Sequence, residues 1–448
     1  MRAFTWKKVA GFLIGTLLAG SARAQTTSPP VLSVDEAVAL AMKGNRQVLS
    51  SALDVDRARE GTAALRTQRL PQFSTYFLGG ETLRSISFTI PQGALGVYPS
   101  TGPIPAQAST ITTPREFTGL VLGQATQPLS QLWKIHLAVE TFRIAEELAQ
   151  ENLRHQRQET AHSVRELYYQ MAQTQTQIES AESNVKYLSE LQAETDRNLA
   201  QQTALKGDSL SVKAKLSMQR YQLLTLRDAL QTQRESLNRL LGRDLQSEFT
   251  VDPQPVPKPE ELDLSAARKQ AMEQRAEIRE SRLQSQKAEN EVRRQRAEYI
   301  PDLSVHFTYF SLPNMNFVPQ NVMQAGFLFQ WQPFDWGQKH HKTEALKDSV
   351  KQASLSEQDA AQQVTIDVDA RFRDLARSRA LLDATAVSQE AEREKLRVVT
   401  NRYGQKAALL ADVLQQEASV AQADSEYQKA LAAFWDAKAN FDRAMGRE

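Results

Sequence analysis

The helical pattern that begins near Leu132 runs on without a break to Ala200. At 1.5 Å per residue such a helix is roughly 100 Å long. A globular domain does not house a helix of that length; a tube or a stalk does. Its seam is that of a coiled coil. Val164, Met171, Ile178 and Val185 recur every seven residues, and Leu167, Thr174, Ala181 and Leu188 follow each by three. Ala, Gln and Thr are common elsewhere on the long helices, which suits close helix packing with a wet second face.

A second long helix is entered from a strand. In Asn321 to Gly337, NVMQAGFLFQWQPFDWG, the residues Met323, Ala325, Phe327, Phe329 and Trp331 fall on one side. Gln324, Gly326, Gln330 and Gln332 fall on the other, with Leu328 the one apolar exception. A period of two predicts a strand with one apolar and one polar face. Pro333 has no N–H to donate and stops the ladder. Asp335 is the expected helix cap. Beyond Gly337 roughly sixty residues follow without another Gly or any Pro. One segment therefore passes between two different surroundings.

Both long helices belong to copies of one unit. LSVDEAVALAMKGNRQV, from Leu32, resembles LDLSAARKQAMEQRAEI, from Leu262, at an offset of 230. Arg69-Leu70-Pro71-Gln72-Phe73 matches Tyr299-Ile300-Pro301-Asp302-Leu303 at the same offset. Gln127-Pro128 matches Gln332-Pro333 at 205, so the first copy carries about 25 extra residues. They fall in Arg84 to Glu116, a turn-rich segment holding five of the 17 prolines and read as a loop. Asp208 matches Asp412 and Gly242 matches Gly446, both at 204.

This is a tandem duplication. The first repeat spans 25–242, with strands at 72–83 and 117–127 and long helices at 132–200 and 208–241. A Pro-rich linker, 243–263, reads as stiff and extended. The second repeat spans 264–448, with strands at 303–311 and 322–332 and long helices at 336–401 and 409–445. Each repeat opens with a shorter helix. In the first, Ser33 or Asp35 is the cap, a break falls near Gly44-Asn45 and Pro71 ends the pattern.

Composition removes whole classes of function. The 54 basic and 53 acidic residues are balanced and form no basic stripe, so no nucleic-acid partner is expected. The absence of Cys excludes disulfides, thiolate metal sites, a cysteine nucleophile and a lipidated N-terminal Cys. Residues 1–24 read as a secretory signal: Arg2, Lys7 and Lys8, the apolar run Val9 to Leu18, then Ala22-Arg23-Ala24. Its removal takes the formal charge from +1 to −3.

After residue 24 no stretch approaches 18 apolar residues, so a membrane would be crossed by strands. Four strands cannot close a barrel, and lipid tolerates no open edge. The smallest membrane barrels have about eight strands; two chains would supply eight and three would supply twelve. Physics alone leaves both open. Trp331 and Trp336, where strand meets helix, fit an interfacial aromatic belt. His155 and His162, seven apart, are read as a solvated or tunnel-facing pair rather than a metal site. No GxSxG, Walker loop or GxGxxG occurs, so no catalytic, cofactor or metal residue is assigned.

The LSVDEAVALA and LP/IP starts, the QPFDWG junction, the RY…ADVLQ turn and the LNRLLGRD end resemble the TolC-type outer membrane efflux proteins over residues 32–446. The resemblance implies a mixed, mainly α protomer of a trimer. Twelve strands would form a barrel in the outer membrane, continued by a long α-helical barrel in the periplasm. It implies passive export of small molecules with an inner-membrane pump and a periplasmic adaptor. Two alternatives are the outer membrane component of type I protein secretion and a non-channel coiled-coil structural protein. The lack of Cys departs from the lipid-anchored branch.

The turns near 201–207 and 403–408 correspond to the family's periplasmic tips. Tyr403 matches the gating tyrosine and Asp208 its partner carboxylate, a charge-assisted hydrogen bond that would break on opening. The plainer alternative is a Tyr403 that packs a helix end and an Asp208 that caps. The family's gating Arg falls at Ala408 and its tip Gly at Lys406, so Lys406 is a candidate substitute. Asp412 matches a ring of carboxylates at the entrance, which would favour cations; the alternative is a solvated helix charge. The family's second Asp, one turn on, is Gln415 here.

Overall fold

The computed structural model describes residues 30–447 apart from 82, 86, 113–115, 203–204, 254, 259–262, 314–318 and 406. The expected signal lies outside them. The chain folds as α1 (Val34–Gly44), α2 (Arg46–Arg66), β1 (Gln72–Glu81), β2 (Phe117–Pro128), α3 (Gln131–Ala200) and α4 (Lys206–Leu241). It then repeats the order as α5 (Leu264–Gln274), α6 (Ala276–Ala297), β3 (Asp302–Ser311), β4 (Asn321–Gln330), α7 (Gln338–Gly404) and α8 (Leu410–Ala444).

Local chemistry sets the boundaries. Ser33 caps α1: its hydroxyl accepts the Glu36 N–H at 3.3 Å, and the Glu36 carboxylate accepts the Ser33 N–H at 3.1 Å. Asn45 separates α1 from α2, its Oδ1 accepting the Gln47 and Val48 N–H groups at 2.9 and 3.3 Å. The strand expected to reach Gln332 stops at Gln330, leaving Trp331 in the connection ahead of Pro333. Asp335 is not the cap residue. Gly337 is, with φ +84°, and Asp335 reaches over it to accept the Gly337 and Lys339 N–H groups at 3.1 and 3.0 Å.

The four strands form one antiparallel sheet in the order β4–β3–β2–β1. Its apolar side chains have no cover within the chain: Phe73, Phe77, Met323, Phe327 and Phe329 are 60–80% exposed. Ten-residue strands suit a bilayer when tilted. No described helix is long and apolar enough to cross a membrane.

The helices form a wall beneath the sheet. Nearer the sheet the order of neighbours is α2–α3–α6–α7; farther away it is α4–α3–α8–α7. The helices α3 and α7 run through both levels. The wall and the sheet share their open edges, because α2 leads into β1 and β4 leads into α7.

The core lies at the waist and repeats with the duplication. Ala37 and Ala41 of α1 pack on Val164, Tyr168, Met171 and Leu237. Their counterparts Ala267 and Ala271 of α5 pack on Val368, Phe372, Leu375 and Phe441. Along the heptad seam Val164, Met171, Thr174, Ala181 and Leu188 are buried.

The extended linker is strapped to the waist. Thr250–Val251 pairs in parallel with Val31–Leu32, and Tyr168 Oη accepts the Asp252 N–H at 3.0 Å. Further on, Trp435 and Arg379 donate to the Pro255 and Pro257 carbonyls, each at 3.0 Å. The segment Arg84 to Glu116 is not merely a loop. Ser87–Ile90 pairs with Ser109–Thr112 and Val97–Tyr98 with Gly102–Pro103, an extended hairpin. Alternating Ser, Thr and Ile supply its ladder, with the Thr89 and Thr110 hydroxyls 2.9 Å apart.

The waist also holds partly buried charge. Arg275 bridges Glu277 and Asp367, each at 2.5 Å. Nearby, Glu280 has a buried oxygen with no hydrogen-bond partner in the chain. Burial pushes the Glu280 carboxyl pKa up, and Glu277 and Glu151 push the same way against His155 and Arg154. A carboxyl whose pKa rises on folding favours the fold below its ordinary pKa, and that contribution is lost as pH rises through the folded value. Glu280→Gln is therefore expected to stabilise the protein near neutral pH by about 1 kcal/mol, screening of a half-exposed group allowed for. Thermal unfolding against pH checks this: the gain must vanish below about pH 4.

Candidate functional site

The far end of the wall consists of two hairpin tips, one between α3 and α4 and one between α7 and α8. The first turns through Gln202, a left-handed residue at φ +58°. Both second helices start alike. Leu205 and Leu409, each more than 70% exposed, occupy the cap positions and offer no polar side chain. The missing acceptor comes from the third helical residue. Asp208 Oδ2 accepts the Leu205 N–H at 3.4 Å, and Asp412 Oδ2 accepts the Leu409 N–H at 2.9 Å. The 204-residue offset thus preserves a cap. It also begins α4 at Lys206 rather than Asp208.

Asp208 is half-buried, and Asp412 and Gln415 are exposed. Tyr403 lies in the last turn of α7, half-buried, close enough to Tyr187 to act on it electrostatically. Among the described residues no hydrogen bond joins Tyr403 to Asp208 within the chain; the carboxylate is engaged with Leu205. Ala408 lies in the α7–α8 turn, and Lys406 lies outside the described residues.

Each hairpin is stapled internally. Asp196 accepts from Ser209 Oγ at 2.6 Å and Gln192 Nε2 at 2.8 Å. Glu392 accepts from Gln416 Nε2 at 2.6 Å, and Asp424 from Arg393 and Gln389 at 2.9 Å. The two hairpins meet in a smaller seam. Leu188, Leu191, Val212, Leu216 and Leu414 form its apolar part. Across it, the Tyr187 hydroxyl stands beside the Glu417 carboxylate, and Lys215 Nζ donates to the Leu414 carbonyl at 2.9 Å.

Burial pushes the Tyr187 hydroxyl up, and the neighbouring Glu417 pushes it further. Burial also raises Glu417, against the neighbouring Tyr187 hydroxyl and the Lys215 charge. Sequence reasoning missed this pair. Tyr187 falls between the seam positions Val185 and Leu188, so periodicity marks it as an outer residue.

At the other end the sheet is tied to the helices. Ser130 Oγ donates to the Pro301 carbonyl and accepts the Leu303 N–H, both at 2.7 Å. Trp331 is 55% and Trp336 88% exposed, and the Trp336 ring packs edge-on against Phe334 with centroids 4.7 Å apart. Trp336 is itself left-handed, at φ +56°. No group of three His, Asp or Glu among the described residues is placed to hold a metal.

Two successive stretches, residues 37–243 and 267–447, match the profile of the outer membrane efflux proteins. The chain belongs to that family. Its members are channels, not enzymes. No curated protein sequence matches the chain. Solved structures that do match include the outer-membrane channel OprN, at 16% identity and a TM-score of 0.73, covering 93% of this chain and 90% of that one. VceC of Vibrio cholerae matches at 14% identity and TM-score 0.71, covering 92% and 96%. The open state of the Neisseria gonorrhoeae channel MtrE matches at 15% identity and TM-score 0.70, covering 92% and 89%. At these identities the likeness is one of fold: an outer membrane efflux protomer with a four-stranded sheet on a long helical wall.

Proposed function

We propose that three copies close edge to edge into the exit duct of a tripartite efflux system in a Gram-negative outer membrane. The observation that carries this is the shared open edge of sheet and wall. Each copy supplies four strands and four helical positions at each level, so three copies make twelve of each. The edges are apolar enough to join. On α7, Leu355, Ile366, Leu381 and Val387 are more than half exposed; on α4, Met218, Tyr221 and Leu224 are. The uncovered apolar face of the sheet then meets lipid, and the helical barrel stands in the periplasm.

Small molecules delivered by an inner-membrane pump through a periplasmic adaptor leave passively through the lumen. The tips face the adaptor. Tyr403, Asp208 and Lys406 control closure there, and three copies of Asp412 form the acidic ring. The Asp412 cap bond uses one carboxylate oxygen and leaves the other free for ions. Heat-modifiable trimers in outer-membrane fractions and cation-selective conductance in planar bilayers are the expected results. Asp412→Asn is expected to lower that selectivity several-fold. A purely soluble periplasmic product sinks the reading, and unchanged selectivity removes the ring.

A further inference from the structure

We propose that the band of cations just beneath the aromatic girdle binds anionic phospholipid headgroups of the periplasmic leaflet. This rests on the outer-membrane trimer proposed above. Trp331, Phe334 and Trp336 are 55%, 66% and 88% exposed where β4 gives way to α7. Exposed aromatic rings of this kind settle at headgroup level. Directly after them come Lys339, His340, His341 and Lys342.

The two repeats treat this position differently. Lys134 and His136 stand 205 residues before Lys339 and His341. In the first repeat the lysine is neutralised: Lys134 Nζ lies 2.8 Å from Asp302 and 3.6 Å from Glu298. In the second, among the described residues, Lys339 Nζ meets the Gln332 carbonyl at 3.0 Å and the Tyr299 ring at 5.8 Å. Among the described residues no salt bridge joins Lys339, His341 or Lys342 to a carboxylate. The next carboxylates along α7 are taken: Glu344 by Lys347 at 2.6 Å and Asp348 by Lys351 at 2.9 Å.

The two lysines do not serve the helix. In a first turn they oppose the peptide dipole. Nor does ring closure neutralise them. The edge that α7 meets in the next copy ends in exposed Arg66 and Arg69, at the sheet end of α2. Positive charge then lines both sides of the seam at the depth where phosphates lie. A phosphodiester with no cationic headgroup is the complementary partner, and the aromatic rings above it accept the acyl chains.

The test compares the full-length trimer in phosphatidylcholine vesicles with and without phosphatidylglycerol. Lipids retained after mild detergent extraction are counted by native mass spectrometry. Phosphatidylglycerol is expected to be retained over phosphatidylcholine. The double variant Lys339→Gln/Lys342→Gln is expected to lose about twenty-five-fold of that preference while remaining trimeric, since each cation near an anionic surface is worth roughly fivefold. Lys351→Gln, on the same helix but paired with Asp348, is the charge control and should leave the preference unchanged. An inserted trimer indifferent to lipid charge, or a double variant that keeps the preference, overturns the proposal alone. A chain that stays out of vesicles overturns the channel reading and this proposal with it.

Discussion

Gly242→Ala is expected to cost the first repeat its fold. Gly242 follows the last turn of α4 at φ +71°, and a Cβ there would lie 1.9 Å from the Gly44 carbonyl oxygen and 2.4 Å from its carbon. The obstacle is backbone, and it cannot retreat. Asn45 caps α2 and donates from Nδ2 to the Leu240 carbonyl at 2.9 Å, which locks the α1–α2 break against the end of α4. Asn238, fully buried, donates to the Leu245 and Ser247 carbonyls at 2.9 Å and fixes the chain beyond the glycine. A left-handed alanine costs about 1 kcal/mol and the overlap several more, on the order of 4 kcal/mol together. That is a large share of a domain's stability. Denaturant unfolding followed by helical circular dichroism, and the yield of heat-modifiable trimer, measure it.

The second repeat supplies an internal comparison. Gly446, at φ +79°, brings a Cβ to 2.9 Å from the Gln274 carbonyl carbon and 3.1 Å from the Arg275 nitrogen. Gly446→Ala should be roughly half as harmful, because the overlap is shallower. A Gly242→Ala protein with an unchanged unfolding midpoint would falsify the close contact.

The matched glycines mark how far sequence reaches. Their 204-residue offset was legible, as were the 3.6- and two-residue periods and the strand-to-helix junctions. These signals are local, or are repeated within the chain. The reason for the glycines was not legible, because it depends on where α1 docks. The hairpin at Ser87–Thr112 was hidden by the density of Pro and Gly, which reads as loop although hydroxyl and β-branched residues alternate between them. Asp335 was misplaced by two residues, because Trp336 and Gly337 both turn left-handed before α7 begins. At the tips, Asp208 and Asp412 were located as charges, but their bonds to Leu205 and Leu409 were not foreseen as a matched pair. The Tyr187–Glu417 pair escaped entirely, since neither residue stands on an apolar period.

That pair carries the second large effect: Tyr187→Phe is expected to open the channel. Both hairpins are stapled within themselves, so on the proposed channel reading an opening motion would be taken up at the seam between them. Among the described residues the seam sets Tyr187 beside Glu417 and ties Lys215 to the Leu414 carbonyl. Phenylalanine keeps the ring packing but takes the neighbouring hydroxyl away from the half-buried Glu417 carboxylate. Such a loss is worth about 1–3 kcal/mol, and 1.4 kcal/mol changes an equilibrium tenfold. Open probability in planar bilayers should rise about tenfold if the closed seam bears that loss in full.

Glu417→Gln should do the reverse. Its amide keeps a polar partner beside the Tyr187 hydroxyl, while the charge that burial disfavours is gone, so the closed seam tightens and conductance falls. Opposite signs from two substitutions in one contact separate a latch from general loosening, which would shift both variants the same way. Tyr403→Phe then ranks the two gates. If it opens the channel while Tyr187→Phe leaves conductance unchanged, closure resides in the tips and not in the seam above them.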